Sequence, residues 1–425
     1  MNHRGPVELV IASIGARGDG LADHDGQPVY VPFTVPGDRV SVTLGEKRGD
    51  GIAGELVRLV TPGPGRAIPV CRHFGQCGGC AVQHLDDAAY AAWKRGLLVE
   101  ALVRAGGTEA VVAPMLRIAP ATRRRASLGF VRAAKGTVLG FAQRASHHLV
   151  DVAECPVLAP ALVALLAPLR AALDRALPAG ATGDAVATLT ESGVDLVIET
   201  EAEPGLEARQ TLSAFANAMN MARLSWRRPG RAPEPLARRH AAVVRLGGVA
   251  VEPPPGAFLQ PSVEGEATLA QLVGEAIDEF AKPDGRIADL FAGCGSLTLP
   301  LARTRRVHAV EGEAEPLAAL AKAANQAKLA VTTELRDLAR QPLRDKQLAP
   351  YAAVVFDPPR IGAAAQSKAL AEAGPPLVVA VSCNPATLGR DARTLMGGGY
   401  RLVRAFPVDQ FLWSARLEAV AVFVK

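Results

Sequence analysis

The cysteines of this chain stand in three settings. Cys383 lies in VSCNPATLGRD, after the apolar run LVVAVS and before Asn384-Pro385, which stop a strand. A thiol on a strand exit is a candidate nucleophile, and its competing reading is an inert buried thiol. Cys71, Cys77 and Cys80 fall within CRHFGQCGGC at C-x5-C-x2-C spacing, and Cys155 follows in VAECPVL with Pro156 behind it. Three clustered thiolates and a remote fourth suit a cubane iron–sulfur cluster. Zinc is the alternative, although structural zinc more often uses two C-x2-C knuckles. Cys294, inside a glycine turn, reads as packing.

That turn belongs to RIADLFAGCGSLTLPLA, residues 286–302. The pattern predicts a short strand ending at Asp289, a turn through Gly293 and Gly295, and a helix opening near Ser296. Glycines let a backbone approach a ligand closely, and a helix start offers free N–H groups. The next strand, VHAVEG, ends at Glu311, where a carboxylate can accept bonds from ribose hydroxyls. The turn reads D-x-F-x-G-x-G, unlike the dinucleotide G-x-G-x-x-G, and resembles the S-adenosylmethionine methyltransferase form. A generic doubly wound domain is the alternative. Asp337 follows a third strand, VTTEL, and YAAVVFDPPR places Asp357-Pro358-Pro359 at a fourth strand end. Ligands of open α/β sheets sit outside the carboxyl ends of strands, and Glu311, Asp337, Asp357 and Cys383 all fall there. Arg360 stands where amino-group methyltransferases usually carry an aromatic ring, which argues against N-methylation of adenine or cytosine.

A methyl donor and a strand-end cysteine together suggest covalent catalysis. Carbon 5 of uridine is a poor nucleophile. A thiolate added at carbon 6 makes an enolate that is nucleophilic at carbon 5. After methylation a base must remove the carbon 5 proton so that the thiolate leaves. Glu418, at the start of the last apolar strand in DQFLWSARLEAVAVFVK, is the candidate base; the plain alternative is a surface strand residue.

The elements that must hold these groups can be read coarsely. Residues 1–62 show short strands broken by Gly, Asp and Pro, as in a small barrel. TPGPGR at 61–66 reads as a linker. Residues 63–262 hold the cysteine cluster, a helix over 86–105, paired strands around Lys135-Gly136, a helix over 158–177, and further strands with a helix near 205–221. Residues 263–425 alternate helix and strand, implying a mostly parallel sheet covered on both faces.

Lys and Arg number 47 against 42 Asp and Glu, a net charge of +5, mild support for a polyanionic partner. Aromatic residues make up only 4%, too few for a broad base-stacking platform. Neither a membrane-length apolar run nor a signal-peptide pattern is read, so a cytoplasmic protein is expected. Arg123, Arg124, Arg125, Arg227, Arg228 and Arg231 are candidates for gripping phosphates.

SCNPATLGRD, FDPPRIG and the cysteine spacing resemble the bacterial RNA 5-methyluridine methyltransferases over essentially the whole chain. The likeness is strongest to the 23S rRNA uracil-carbon-5 members that join a TRAM domain to an iron–sulfur cluster. The resemblance implies a multi-domain α/β fold: an N-terminal OB-like β-barrel (TRAM) that binds RNA, a central α+β iron–sulfur domain, and a C-terminal Rossmann-like S-adenosylmethionine methyltransferase domain. It implies Cys383 as nucleophile and Glu418 as base. Gln260, Phe291, Ser296, Glu311, Asp337 and Asp357 would line the S-adenosyl-L-methionine pocket. Cys71, Cys77, Cys80 and Cys155 would hold a [4Fe-4S] cluster. Three positions depart from the family pattern: Ser262 and Ser296 replace frequent asparagines, and Arg416 replaces the histidine of H-x-E. Members lacking the extra modules methylate tRNA, so 23S rRNA is the expected partner and tRNA the alternative. A monomer is expected. Rival readings are an RNA-binding protein with a decayed site and, more weakly, a cytosine-carbon-5 methyltransferase.

Overall fold

A computed structural model describes residues 5–425. The site is built on an eight-stranded sheet: β1 (Leu116–Arg117), β2 (Arg286–Leu290), β3 (Val307–Glu311), β4 (Val331–Leu335), β5 (Tyr351–Phe356), β6 (Leu377–Ser382), β7 (Arg401–Asp409) and β8 (Glu418–Val424). Their spatial order is β4-β3-β2-β5-β6-β8-β7-β1. The five strands from β4 to β6 run parallel, and β8 enters antiparallel between β6 and β7. Every residue of LVVAVS in β6 is buried, the pattern of a central strand covered on both faces. The order reverses at β2, so the carboxyl ends of β2 and β5 flank the crevice where such sheets bind ligands.

Three helices carry the argument: α1 (Asp87–Arg104), α2 (Val263–Phe280) and α3 (Pro385–Gly397). Each starts on a side-chain cap. Asp86 accepts from Ala89 N at 2.8 Å, Ser262 from Gly265 N at 3.0 Å, and Asn384 from Ala386 N at 3.1 Å. Such a cap satisfies one of the unpaired first-turn donors. Pro385 at the first helical position has no N–H to lose.

Two other sheets precede this one in the chain. Six strands between Val7 and Thr61 surround an apolar cluster of Leu9, Ile11, Val29, Val31, Val40 and Val42. The two ends of the sheet's strand order, Val7–Val10 and Ser13–Ile14, are consecutive in the chain. Between them Ile11 N donates to the Asp38 carbonyl at 2.9 Å and Ala12 N to the Leu21 carbonyl at 2.8 Å, so the sheet curls round on itself as the expected barrel requires. A seven-stranded sheet from Arg125 to Arg238 packs against helices Pro160–Ala176 and Leu206–Ala218.

The structure departs from the linear reading in two places. The helix after the glycine turn is only Thr298–Leu301, not a full helix from Ser296, because Pro300 removes a donor from its middle. The span 63–262 is not one spatial unit. From within it, β1 pairs with the end of β7, and Leu98 and Leu102 of α1 pack with Leu388, Ala392 and Leu395 of α3. The apolar face of α1 finds its cover on the C-terminal sheet. Among the described residues no helix is long and apolar enough to cross a membrane.

Candidate active site

Cys383 directly follows β6, and Glu418 opens β8. These strands are neighbours, with Ser382 paired to Ala419. The Asn-Pro turn fixes the thiol's position. Asn384 N–H donates to Ser382 Oγ at 3.2 Å, and Asn384 Nδ2 donates to the carbonyl of Arg360 at 3.1 Å. The cysteine turn is thereby tied to the Asp357-Pro358-Pro359 loop leaving β5.

Behind the thiol lies a polar relay. Gln260 Nε2 donates to Asp357 Oδ2 at 2.9 Å. Gln410 Nε2 donates both to Gln260 Oε1 at 2.7 Å and to Glu418 Oε2 at 3.0 Å. Glu418 is 2% exposed, and its other oxygen, Oε1, has no hydrogen-bond partner among the described residues. Burial, then the charge of Asp357, push the Glu418 carboxyl well above its ordinary range against the Gln410 bond. Burial likewise raises Asp357. The half-buried Cys383 thiol is pushed up to about 11 by burial and by the charges of Glu418 and Asp357, while Arg360 opposes the rise.

The donor side is more firmly built. Glu311 Oε2 accepts from Gly293 N at 2.8 Å, and Oε1 accepts from Gly312 N at 2.7 Å and Glu313 N at 2.9 Å. The turn's N–H is thus committed to Glu311. Phe291 adopts a φ of 62°, costly for a bulky residue. Ser296 Oγ donates to Glu266 Oε1 at 2.8 Å, and Glu266 pairs with Arg124 at 3.1 Å. Buried Asp289 accepts from Thr298 Oγ1 at 2.5 Å, and burial pushes its carboxyl up to about 7. Asp337 is exposed and spends Oδ1 on the N–H groups of Ala339 and Arg340. Its backbone lies beside Gly312, since a Cβ there would sit 3.9 Å from Asp337 Cα.

Cys71, Cys77, Cys80 and Cys155 are half-buried free thiols. Burial raises the first three, Cys80 to about 12, and the charge of Cys155 raises each of them further. Cys155 and the three clustered thiols are therefore close enough to act on one another electrostatically. The contacts are Ala153 N to His73 Nε2 at 3.4 Å and Arg72 to Glu154 at 3.5 Å. Among the described residues no three His, Cys, Asp or Glu side chains converge as one metal ion requires. Cys294 is packed in an apolar cluster.

Several arginines read as phosphate grips are committed elsewhere. Arg124 is buried, bonding the Gln260 carbonyl and Glu266. Arg227 pairs with Glu199 at 2.5 Å and Arg228 with Glu203 at 2.6 Å. Gln410 and Glu266 escaped the sequence reading, and Asp289 entered it only as a strand end and the first residue of the glycine-turn motif. Gln410 carried one usable signal: it follows β7 directly, at the sheet end where β8 opens with Glu418. A surface crevice of about 530 Å³, lined by Asp284, Arg303, Arg306 and Lys328 among others, lies at the opposite, amino-terminal edge of the sheet and holds none of these groups.

A family profile described as tRNA (Uracil-5-)-methyltransferase matches residues 249–425. An uncharacterized RNA methyltransferase of Brucella melitensis is 43% identical, covering 98% of both chains. The 23S rRNA (uracil(1939)-C(5))-methyltransferase of Chromohalobacter salexigens is 36% identical, covering 98% of this chain and 89% of that protein. A tRNA (uracil-54, C5)-methyltransferase of Pyrococcus abyssi, solved with S-adenosyl-L-homocysteine, shares the fold at 20% identity. Its TM-score is 0.75, and the match covers 98% of this chain and 100% of that one. Sequence likeness over nearly the full length, with a methyltransferase sheet beneath it, makes this chain a member of the S-adenosylmethionine-dependent RNA uracil-C5 methyltransferase family.

Proposed function

We propose that the protein methylates carbon 5 of a uridine in 23S rRNA, with Cys383 as nucleophile and Glu418 as base. The observation that carries this is the meeting of the two residues on adjacent strand ends, with Glu418 Oε1 left without a partner among the described residues. Gln260, Phe291, Ser296, Glu311, Asp337 and Asp357 are the residues assigned to the donor. When bound, S-adenosylmethionine supplies the methyl group. The Cys383 thiol loses its proton to solvent, its sulfur bonds carbon 6 of the extruded uracil, and the carbon 5–carbon 6 π pair moves toward carbon 5 and O4. Once carbon 5 is methylated, Glu418 Oε1 takes its proton, the carbon 5–carbon 6 double bond returns, and the C–S bond breaks. Gln410 orients the carboxylate by holding Oε2.

The four cysteines are assigned to a [4Fe-4S] cluster. Four free thiols from two chain segments feel one another's charge, yet no three converge on a single point. A cubane, in which each thiolate binds a different iron, suits three clustered thiols and a remote fourth better than zinc, which more often takes two C-x2-C knuckles. The N-terminal sheet is assigned to RNA binding as a TRAM-like module.

Support for rRNA is the 36% identity to the 23S enzyme; the tRNA enzyme's likeness is one of fold. The test is anaerobically purified protein with unmodified 23S rRNA, a tRNA pool and labelled S-adenosylmethionine, read by nucleoside mass spectrometry. The expected result is 5-methyluridine in rRNA that vanishes with Cys383→Ala. Product in tRNA alone overturns the substrate, and product that survives Cys383→Ala overturns the nucleophile.

A further inference from the structure

Two guanidinium groups that act on the thiol, and a third that acts on one of them, have no part in the steps above. The carbonyl of Arg360 accepts from Asn384 Nδ2 at 3.1 Å and Thr387 Oγ1 at 3.5 Å, so its loop is bound to the cysteine turn. Arg416 stands two residues before Glu418, and its carbonyl is held by the buried Lys94 ammonium. Both side chains are exposed. Arg390 and Arg404 pair with Asp391 and Glu279, whereas Arg360 and Arg416 pair with no carboxylate among the described residues. The charges of the two repel one another, and both act on Cys383. Arg123, also without a carboxylate partner, adds a third charge that repels Arg416. Unneutralised cations gathered at one rim are an arrangement that an anion relieves, and guanidinium forks match phosphate oxygens. Large apolar side chains stand in the loops that carry Arg360 and Gln260. Ile361, next to Arg360, is 70% exposed, and Phe258, two residues before Gln260, is 67% exposed beneath the Arg125 guanidinium. Apolar surface beside cations suits a nucleotide better than a free inorganic anion.

We propose that Arg360 and Arg416 bind the phosphodiester flanking the target uridine and so fix the extruded base over Cys383. The proposal rests on the covalent reading of Cys383 given above. In this chain Arg416 then serves as a substrate-binding residue.

The test measures binding of a 23S rRNA fragment and of tRNA against salt concentration. The proteins are wild type, Arg360→Ala, Arg416→Ala and Arg416→Lys. A parallel arm captures covalent adduct on the methylated RNA carrying 5-fluorouridine, whose fluorine cannot leave as a proton. Each alanine variant is expected to weaken binding on the order of tenfold at low salt. Each should also flatten the slope of log affinity against log salt by about 0.7, one single-strand phosphate contact. Arg416→Lys keeps the slope. A neutral methylphosphonate at the flanking linkage should weaken the wild type and leave Arg416→Ala unaffected. Unchanged slopes overturn the proposal, as does an effect confined to the reactivity of the Cys383 thiol. Absence of adduct with the wild type sinks the covalent reading alone, since the salt slopes still decide the phosphate contact.

Discussion

One oxygen of Glu418 is held by Gln410 and the other by nothing among the described residues. If that free oxygen takes the carbon 5 proton, Glu418→Gln stops the reaction after methyl transfer. The expected outcome is an RNA–protein adduct that accumulates with natural uridine and survives denaturing electrophoresis, with product release reduced by about two to four orders of magnitude. A variant that releases product at the wild-type rate removes Glu418 from the role. The thiol makes a second prediction. With Cys383 raised to about 11, little thiolate is present at neutrality. Its alkylation by iodoacetamide, followed by peptide mass spectrometry, should rise about tenfold per pH unit from 7 to 10. Because the charge of Glu418 raises the thiol, Glu418→Gln should shift that profile to lower pH. A flat profile, or a shift the other way, contradicts the electrostatics described here.

At the scale of elements, the loop between β7 and β8 carries Gln410 at one end and Glu418 at the other, and a helix distant in sequence pins it. Lys94 of α1 is fully buried. Its ammonium donates to Asp409 Oδ1 at 2.8 Å, to the Phe411 carbonyl at 3.2 Å and to the Arg416 carbonyl. Tyr90 OH donates to Asp409 and accepts from Trp413 N at 2.8 Å. Removing one member of a buried pair strands the other charge, so Lys94→Ala should cost about 3–5 kcal/mol in denaturant unfolding. It should also lower kcat more than the affinity for RNA, because the loosened loop misplaces the base. Equal loss in a Lys94→Met variant with normal kcat would show that the strut serves stability alone.

For the molecule as a whole, the cysteine cluster and the active site share a boundary. Ala81 and Val82, directly after Cys80, donate to the carbonyl of Trp413 at 2.7 and 3.1 Å. The loop that positions Glu418 therefore rests on the cysteine segment. Cys155→Ser, purified anaerobically, is expected to lose bound iron and acid-labile sulfide and to melt at a lower temperature. Zinc in the wild type by elemental analysis, with no iron after anaerobic reconstitution, overturns the cluster assignment.

Much of this arrangement was legible in the sequence because it is local. Alternation of apolar runs with glycine turns marked the parallel strands, and the strand-end positions of Glu311, Asp357 and Cys383 follow from chain order alone. The cap of α3 is written in Asn384-Pro385, and the four cysteines announce themselves by spacing. What escaped depends on contacts between distant segments, which no periodicity encodes. Gln410 meets Gln260 across 150 positions, and Lys94 meets Asp409 across 315. The pairing of β1 with the C-terminal sheet and the packing of α1 against α3 are of the same kind, fixed by which apolar face has room for them. Arg124 looked like its neighbours in RRRAS, yet only folding buries it against Glu266 and leaves Arg123 without a carboxylate among the described residues. Sequence determined which residues are chemically able. The sheet order, by setting which strand ends are adjacent, decided which of them meet.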